Sequence, residues 1–532
     1  MRRLLILALI IGSLTRLLWI SRYPAGFTAD EAAFGYNAYS LLLTGRDEWG
    51  TPWWQLFFTN LRSFGDYKLP LYAFLAVPSV KIFGLTEFAV RLPNAIFGIL
   101  AITSIYLLAK KLYLTSHPSP LKGEGNARGE VLGVTSALLL AISPWHIQLS
   151  RGAFEANLAT FLLPMGIYLL LESHPLLSTL FFIASAYSYH SARLILPFIL
   201  VFLFIYFRDK FKPLLIIPLL ISLWGLTSPR VADVSIFSPT DNWLGVATRR
   251  FEARALGLPD QIARVFSNKL VYSLSTFTQN YISYFSPNFL FTSGAGESFY
   301  GMMPGRGVLY LIELPILIMA LIYFIRRPSK LYLLLLLLLL ISPIPAALAK
   351  GPGAAANRAA IMLPWLVIFL STIIVRLPRK WLALLAGAYV ISFVFFVEDY
   401  LYHSSYITAP SMSYGWRELV PRLKPFSDRF SDVRFSRSLS EPHIFVAFYS
   451  RFDPREYQKA AASWPRHIKF LDQFDGYYLG KYRFGDIHPQ DPVITPTLFI
   501  GKPEDFPAGF PQYFQIDYPS SRPAIIVAQK LP

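Results

Sequence analysis

Residues 331–350 read LYLLLLLLLLISPIPAALAK, an apolar stretch with no charge before Lys350. An α-helix needs ~18–20 such residues to cross about 30 Å of hydrocarbon. A single run of this kind describes a buried core helix equally well, but a series does not. Similar runs recur on both sides, near 3–20, 91–113, 131–148, 153–172, 176–190, 192–207, 212–228, 307–325, 357–375 and 381–397. With 331–347 they make about eleven predicted spans. The composition agrees: 54% of residues are hydrophobic and 15% charged, with a mean hydropathy of +0.43. A soluble chain carries about a quarter charged residues. The expected fold is mainly α, a polytopic membrane protein with a small C-terminal α/β domain.

Charge sets the expected orientation. With the N-terminus inside, alternate connections carry Arg2/Arg3, Lys110/Lys111, Arg208/Lys210/Lys212, Arg326/Arg327/Lys330 and Arg376/Arg379/Lys380, as the positive-inside rule requires. The short Glu172–His174 turn is the neutral exception. This threading holds if Leu69–Phe83, which contains Pro70 and Pro78, is an interfacial or re-entrant helix rather than a span. Met1–Ile20 lacks an A-x-A cleavage site before Ser21 and reads as a retained first span. Residues 1–399 then form the membrane domain, with a first external loop at 21–90 and a second at 229–306. Residues 400–532 form the extracytoplasmic domain. Within that tail, His443–Tyr449, Thr497–Ile500 and Pro523–Val527 read as strands, and Tyr414–Leu423 and Pro454–Ala462 as helices. Ser116–Glu130, with Pro, Gly and mixed charge, reads as a cytoplasmic loop.

The net charge of +17 is dispersed among apolar segments, which argues for lipid headgroups and phosphates and against nucleic acid. The absence of cysteine excludes disulfides, thiolate metal sites and cysteine nucleophiles. No Walker A loop, H-E-x-x-H, G-x-S-x-G or dinucleotide fingerprint occurs, so a group donor must come from something other than bound nucleotide.

The residues that carry chemistry cluster on the predicted outer side. Asp30-Glu31 follow the first span among Phe27, Ala32, Ala33, Phe34 and Tyr36, and shielding from water suits a carboxylate to accept a proton near neutral pH. Lys68, in Asp66-Tyr67-Lys68-Leu69-Pro70, either snorkels to headgroups or holds a phosphate. Arg151 and Glu155 stand at helical i,i+4 spacing, the spacing of a structural ion pair, yet at membrane depth, where ionisable groups are costly and usually functional. His190, Arg193, Lys350 and Arg358 put cations outside, against the orientation rule. Such a set suits a lipid-linked phosphate, and Gly351 and Gly353 around Pro352 permit close backbone approach.

Together these features resemble the GT-C membrane glycosyltransferases, in the branch of protein O-mannosyltransferases and lipid A aminoarabinose transferases (glycosyltransferase family 39-like). The residues that carry the resemblance are Asp30-Glu31, Lys68-Leu69-Pro70, Arg91-Leu92-Pro93, Ser143-Pro144, Ser150-Arg151 and Glu155, in that order, over roughly residues 1–210. The resemblance implies a polyprenyl-phosphate-linked sugar as donor and inverting transfer on the outer face to a glycan, lipid or protein acceptor. It implies a catalytic role for Asp30 as base or acceptor-orienting group, with Glu31 and Glu155 beside it. Lys68, Arg151, His190, Arg193, Lys350 and Arg358 are the candidate cations for the departing phosphate. No cofactor is required and no metal ligand is assigned, although Asp30, Glu31 and Glu155 leave room for a divalent metal. The expected address is a bacterial-type cytoplasmic membrane, with membrane lipids as partners. A polymerase or ligase with lipid-pyrophosphate donors is the nearer alternative. A lipid or solute transporter is the more distant one, because no internal repeat is evident.

Overall fold

The computed structural model describes all residues except 65, 117–121, 229–233, 296–301, 352 and 466–474. Parts of the expected 116–130 loop and of the second external loop, and Pro352, lie outside the described residues.

Every expected span contains a helix, but few are long. Glu87–Thr115, Lys330–Ala347 and Arg379–Met412 are each long and apolar enough to cross a membrane. Gly125–Ile142 and Pro144–Arg151 together have the length and apolarity of a further span, bent by 58°. Ser143 causes that bend: its side chain caps the second segment, where Pro144 occupies the first turn. The stretches expected as full spans at 153–172, 176–190, 192–207, 212–228 and 357–375 are helices of 10–17 residues. Short helices survive at membrane depth where protein shields their ends, and all thirteen residues of Met362–Ile374 are buried. The faces of Arg379–Glu398 and of the first helix, Arg2–Leu17, expose Leu384, Val390, Phe395, Leu4, Ile10 and Leu14, as lipid-facing helices do.

The helices sort the loops into two sets. At one end Lys111 pairs with Glu172 at 3.0 Å, Lys210 donates to Ser173 Oγ at 3.1 Å, and Arg376 lies over Tyr323 and Tyr332. These are the segments whose basic residues the orientation rule puts inside. At the other end the first external loop, the His190 turn, Lys350–Arg358 and the tail contact one another. The helix Leu71–Phe83 has both ends on this second side: Leu71 N donates to Tyr187 O, and Gly84 lies beside Arg451 of the tail. It does not cross. The 116–130 loop is shorter than expected, because a helix begins at Lys122.

The tail is a six-stranded mixed sheet in the order Tyr477–Leu479, Tyr482–Gly485, Asp432–Ser436, Thr497–Gly501, Pro523–Lys530, Gln512–Asp517. Helices Trp416–Ser427, Pro442–Ser450 and Pro454–Ala462 accompany it. The expected strand His443–Tyr449 is thus a helix. Its residues from Pro442 to Phe448 are all buried, so it shows no polar face by which a helical period could be told from a strand. This helix seats the tail on the first external loop. Phe448 lies against Gly35, where a Cβ would come within 2.5 Å of its ring, and Arg417 and Tyr449 both donate to the buried Glu87.

Candidate active site

The helix Ala29–Thr44 opens with a reciprocal cap. Thr28 Oγ1 accepts from the Glu31 amide at 3.2 Å, and the Glu31 carboxylate accepts from the Thr28 amide at 3.0 Å. The adjacent carboxylates meet different surroundings. Glu31 is fully buried and takes two bonds from Arg91, at 2.8 and 3.1 Å, and one from the Ala153 amide at 2.9 Å. It therefore ties the first loop to the Gly152–Phe154 turn and acts as an anchor. Asn94 fastens the same turn by donating to the Leu149 and Gly152 carbonyls. Glu155 begins the next short helix, Glu155–Asn157, half-buried, and the charges it feels are those of Asp30 and Lys68.

Asp30 is one-third exposed and accepts from Lys68 Nζ at 2.6 Å. Lys68 is buried on a hairpin of Leu61–Ser63 with Asp66–Lys68; it also donates to Asp66 at 3.0 Å and lies 4.6 Å from the Phe64 ring centre. On one side Asp30 lines a cleft of about 470 Å³ whose opposite wall is the tail, including Tyr414, Glu441 and Lys502. On the other side Tyr67, next to Lys68, offers its carbonyl to His190 Nε2 at 3.1 Å. His190 lines a second cavity, of about 210 Å³, with Leu194, Leu226, Phe237, Leu348 and Arg358. This one is mainly apolar, with Tyr189, Ser191, Ser235, His190 and Arg358 as its polar members. His190 Nδ1 is buried with no partner among the described residues. Asp30 thus lines one cavity and His190 and Arg358 the other, and the Tyr67-Lys68 pair bonds to both Asp30 and His190.

The other expected cations stand further off. Lys350 is at the second cavity's edge, where its carbonyl accepts from Arg358 at 2.8 Å. Arg193 is buried one turn along from His190, over Tyr187, with Nε on the Ala186 carbonyl and Nη2 without a partner among the described residues. Arg151 is not brought to the site. It donates to the Thr15 and Leu18 carbonyls, capping the first helix. Its helix ends at Gly152, so no i,i+4 pair with Glu155 forms.

The sequence reading missed Asp47 and Glu48, which support the hairpin from behind. Glu48 is buried; its carboxylate accepts from Ser63 Oγ at 2.7 Å and Asn37 Nδ2 at 3.0 Å. Burial pushes the Glu48 carboxyl up to about 8 and Asp47 to about 6. The adjacent carboxylates beside Trp49 are the one signal the sequence carries for this pair. A divalent metal at Asp30 or Glu31 would have to displace Lys68 or Arg91, so these carboxylates are already matched by protein cations. A separate group, Glu398, Asp399 and His403, brings ligand atoms within 4.8 Å of one another, a spacing compatible with a divalent ion.

No family model and no curated protein matches the chain. Solved structures do. ArnT from Cupriavidus metallidurans bound to undecaprenyl phosphate matches over 99% of this chain and 97% of its own, at 13% identity and a TM-score of 0.52. The oligosaccharyltransferase AglB from Archaeoglobus fulgidus, in complex with an inhibitory peptide and a dolichol-phosphate, gives 0.46 at 16% identity over 84% of this chain. The Archaeoglobus fulgidus oligosaccharyltransferase complex with zinc and sulfate gives 0.45 at 15% identity, also over 84% of this chain. This chain spans 63% and 61% of those two archaeal chains, respectively. The likeness to ArnT, which runs over almost the whole of both chains, shows a shared fold.

Proposed function

We propose that this protein is a membrane glycosyltransferase that moves a sugar from a polyprenyl-phosphate donor to an acceptor hydroxyl on the outer face of the membrane, with inversion. The observation that supports this reading is the Asp30–Lys68 pair, with Asp30 on a cleft of mixed chemistry and the neighbouring Tyr67 carbonyl bonded to His190 of a mainly apolar cavity that also holds Arg358. The mainly apolar cavity accommodates the first isoprene units, with Arg358 toward the phosphate. The acceptor enters the cleft. Asp30 removes the acceptor's proton, the freed oxygen attacks the anomeric carbon, and the bond from that carbon to the phosphate oxygen breaks. Its electron pair leaves with the lipid phosphate. A single displacement inverts the anomeric centre. In this scheme Lys68, bonded to the base, also opposes the negative charge that grows on the phosphate. Glu155 orients the acceptor, and Glu31 acts as a positioning residue through Arg91 and Ala153.

The segments that share the site's face then lie outside, with the N-terminus in the cytoplasm of a bacterial-type cell. The test is transfer from radiolabelled polyprenyl-phosphate sugars in membranes carrying wild type or Asp30→Asn, with membrane extract as acceptor. Consumption by wild type and none by the variant is expected. Undiminished transfer by Asp30→Asn would remove the base from the scheme.

A further inference from the structure

The cleft that Asp30 lines is built in an uncommon way. Ten non-glycine residues among the described residues have positive φ, and four of them line this cleft: Phe64 (37°), Ser413 (47°), Ser440 (51°) and Glu441 (50°). Left-handed backbone is disfavoured for side-chain-bearing residues, most of all for a bulky one, and persists where the surroundings over-determine it; such residues gather at ligand sites. Two of the four are consecutive, Ser440 and Glu441, at the turn that opens the Pro442–Ser450 helix.

The wall's chemistry is mixed. Ser411, Ser413 and Ser440 bring hydroxyls, and Tyr414 and Tyr518 form an aromatic pair with centroids 6.2 Å apart. Such a combination fits a sugar ring, whose C–H face packs on aromatics while its edge hydrogen-bonds. The cleft also carries charge. Lys502 is half-buried and forms no ion pair among the described residues. Lys68, by contrast, already has Asp30 and Asp66. Glu441 stands 3.7 Å from His443, and burial pushes that imidazole down to about 3, so it remains neutral beside the carboxylate.

We propose that the cleft between the first external loop and the C-terminal domain seats a saccharide acceptor bearing an anionic group, with Lys502 taking the anion, Glu441 a sugar hydroxyl and Asp30 the hydroxyl that reacts. The inference rests on the glycosyltransferase reading and deepens it, since it makes the tail the acceptor-selecting wall. The anion is a uronate carboxylate or a sugar phosphate, which share the chemistry Lys502 recognises.

The experiment measures binding with no donor present, so it stands apart from transfer. Purified full-length protein in nanodiscs is titrated with tri-galacturonate, with its methyl ester and with mannose 6-phosphate. At least one acid should bind wild type roughly tenfold or more tightly than the neutral ester, the difference expected of one charge-assisted contact. Lys502→Ala should abolish that preference while leaving ester binding unchanged, and Lys502→Arg should keep it. The tighter of the two acids identifies the anion. Equal binding of acid and ester by wild type, no binding of either acid, or an undiminished preference in Lys502→Ala overturns the proposal. The transfer behaviour of Asp30→Asn tests the underlying reaction and would leave a measured acid preference standing.

Discussion

Lys68 Nζ lies 2.6 Å from Asp30 Oδ1 while the lysine itself is 3% exposed, so the carboxylate that lines the cleft is held by a buried cation. The same ammonium holds Asp66 at 3.0 Å. One positive charge thus organises two carboxylates, and its own position depends on the hairpin that Ser63 and Glu48 brace.

Lys68→Met separates its two roles. It leaves Asp30 and Asp66 facing each other without a cation, so thermal stability in detergent should fall. Transfer should fall by on the order of 10²-fold, the loss typical of removing one donor aimed at developing charge. Asp66→Asn added to Lys68→Met should recover stability, because it removes one of the two like charges, but should not recover transfer. Joint recovery of both would make Lys68 purely structural.

Glu31 should behave unlike its neighbour. Glu31 and Arg91 are both fully buried, and removing one partner of such a pair leaves an uncompensated charge at a cost of about 3–5 kcal/mol. Glu31→Ala should therefore express poorly or unfold early. Glu31→Gln paired with Arg91→Met should fold better than Glu31→Ala and keep measurable transfer. If the pair variant is stable yet wholly inactive, Glu31 takes part in the chemistry.

The parts of this architecture that sequence made readable are those with a single physical cause. Apolar length announces helices at membrane depth, and the run around Leu331 needed nothing else. Asp30 and Lys68 were legible because charge beside apolar helices is costly. Arg151 carried the same signal, yet its charge serves the end of the first helix, some 130 residues away in sequence. Which carbonyl ends a buried guanidinium meets is decided by packing that no local pattern encodes. Helix length was not legible either: Pro175–Ala186 and Ile216–Gly225 are shorter than the apolar runs that contain them. The second wall of the cleft was beyond reach altogether. Ser413, Ser440 and Lys502 lie far from Asp30 in the chain and meet it only once the tail docks on Gly35 and Glu87.

Glu48 gives the protein a pH signature. Its carboxyl is pushed up from the ordinary 4.5 to about 8, chiefly by burial, with the Ser63 and Asn37 bonds pulling the other way. A raised acid is protonated in the fold while the unfolded chain has already ionised. The corresponding stability is fully present below about pH 4.5 and is lost as pH rises towards 8. Melting temperature should therefore decline between pH 5 and 8, and Glu48→Gln should flatten that decline and raise stability at the alkaline end. Asp47, pushed up to about 6, adds a smaller decline of the same sign at lower pH. A profile in Glu48→Gln identical to wild type would assign the decline to other groups.

The apolar cavity can be tested without touching a charge. Leu194 lines it on the helix His190–Tyr206, about one turn beyond His190. Leu194→Trp adds bulk to a space of about 210 Å³ that Leu226, Phe237 and Leu348 already enclose. If the cavity takes isoprene units, the variant should weaken donor binding and raise the donor KM, with acceptor KM unchanged. Arg358→Ala acts on the other part of the same ligand. It should weaken retention of undecaprenyl phosphate by roughly tenfold, as expected for one lost charge-assisted contact, while binding of the uncharged polyprenol stays as in wild type. The two variants therefore make opposite demands. Leu194→Trp should penalise both the phosphate and the free polyprenol, whereas Arg358→Ala should penalise the phosphate alone. Binding of both lipids to purified protein in detergent separates these patterns. Loss of phosphate binding in Arg358→Ala with no effect of Leu194→Trp on either lipid would move the chain of the donor out of this cavity and leave Arg358 as a headgroup contact at its mouth.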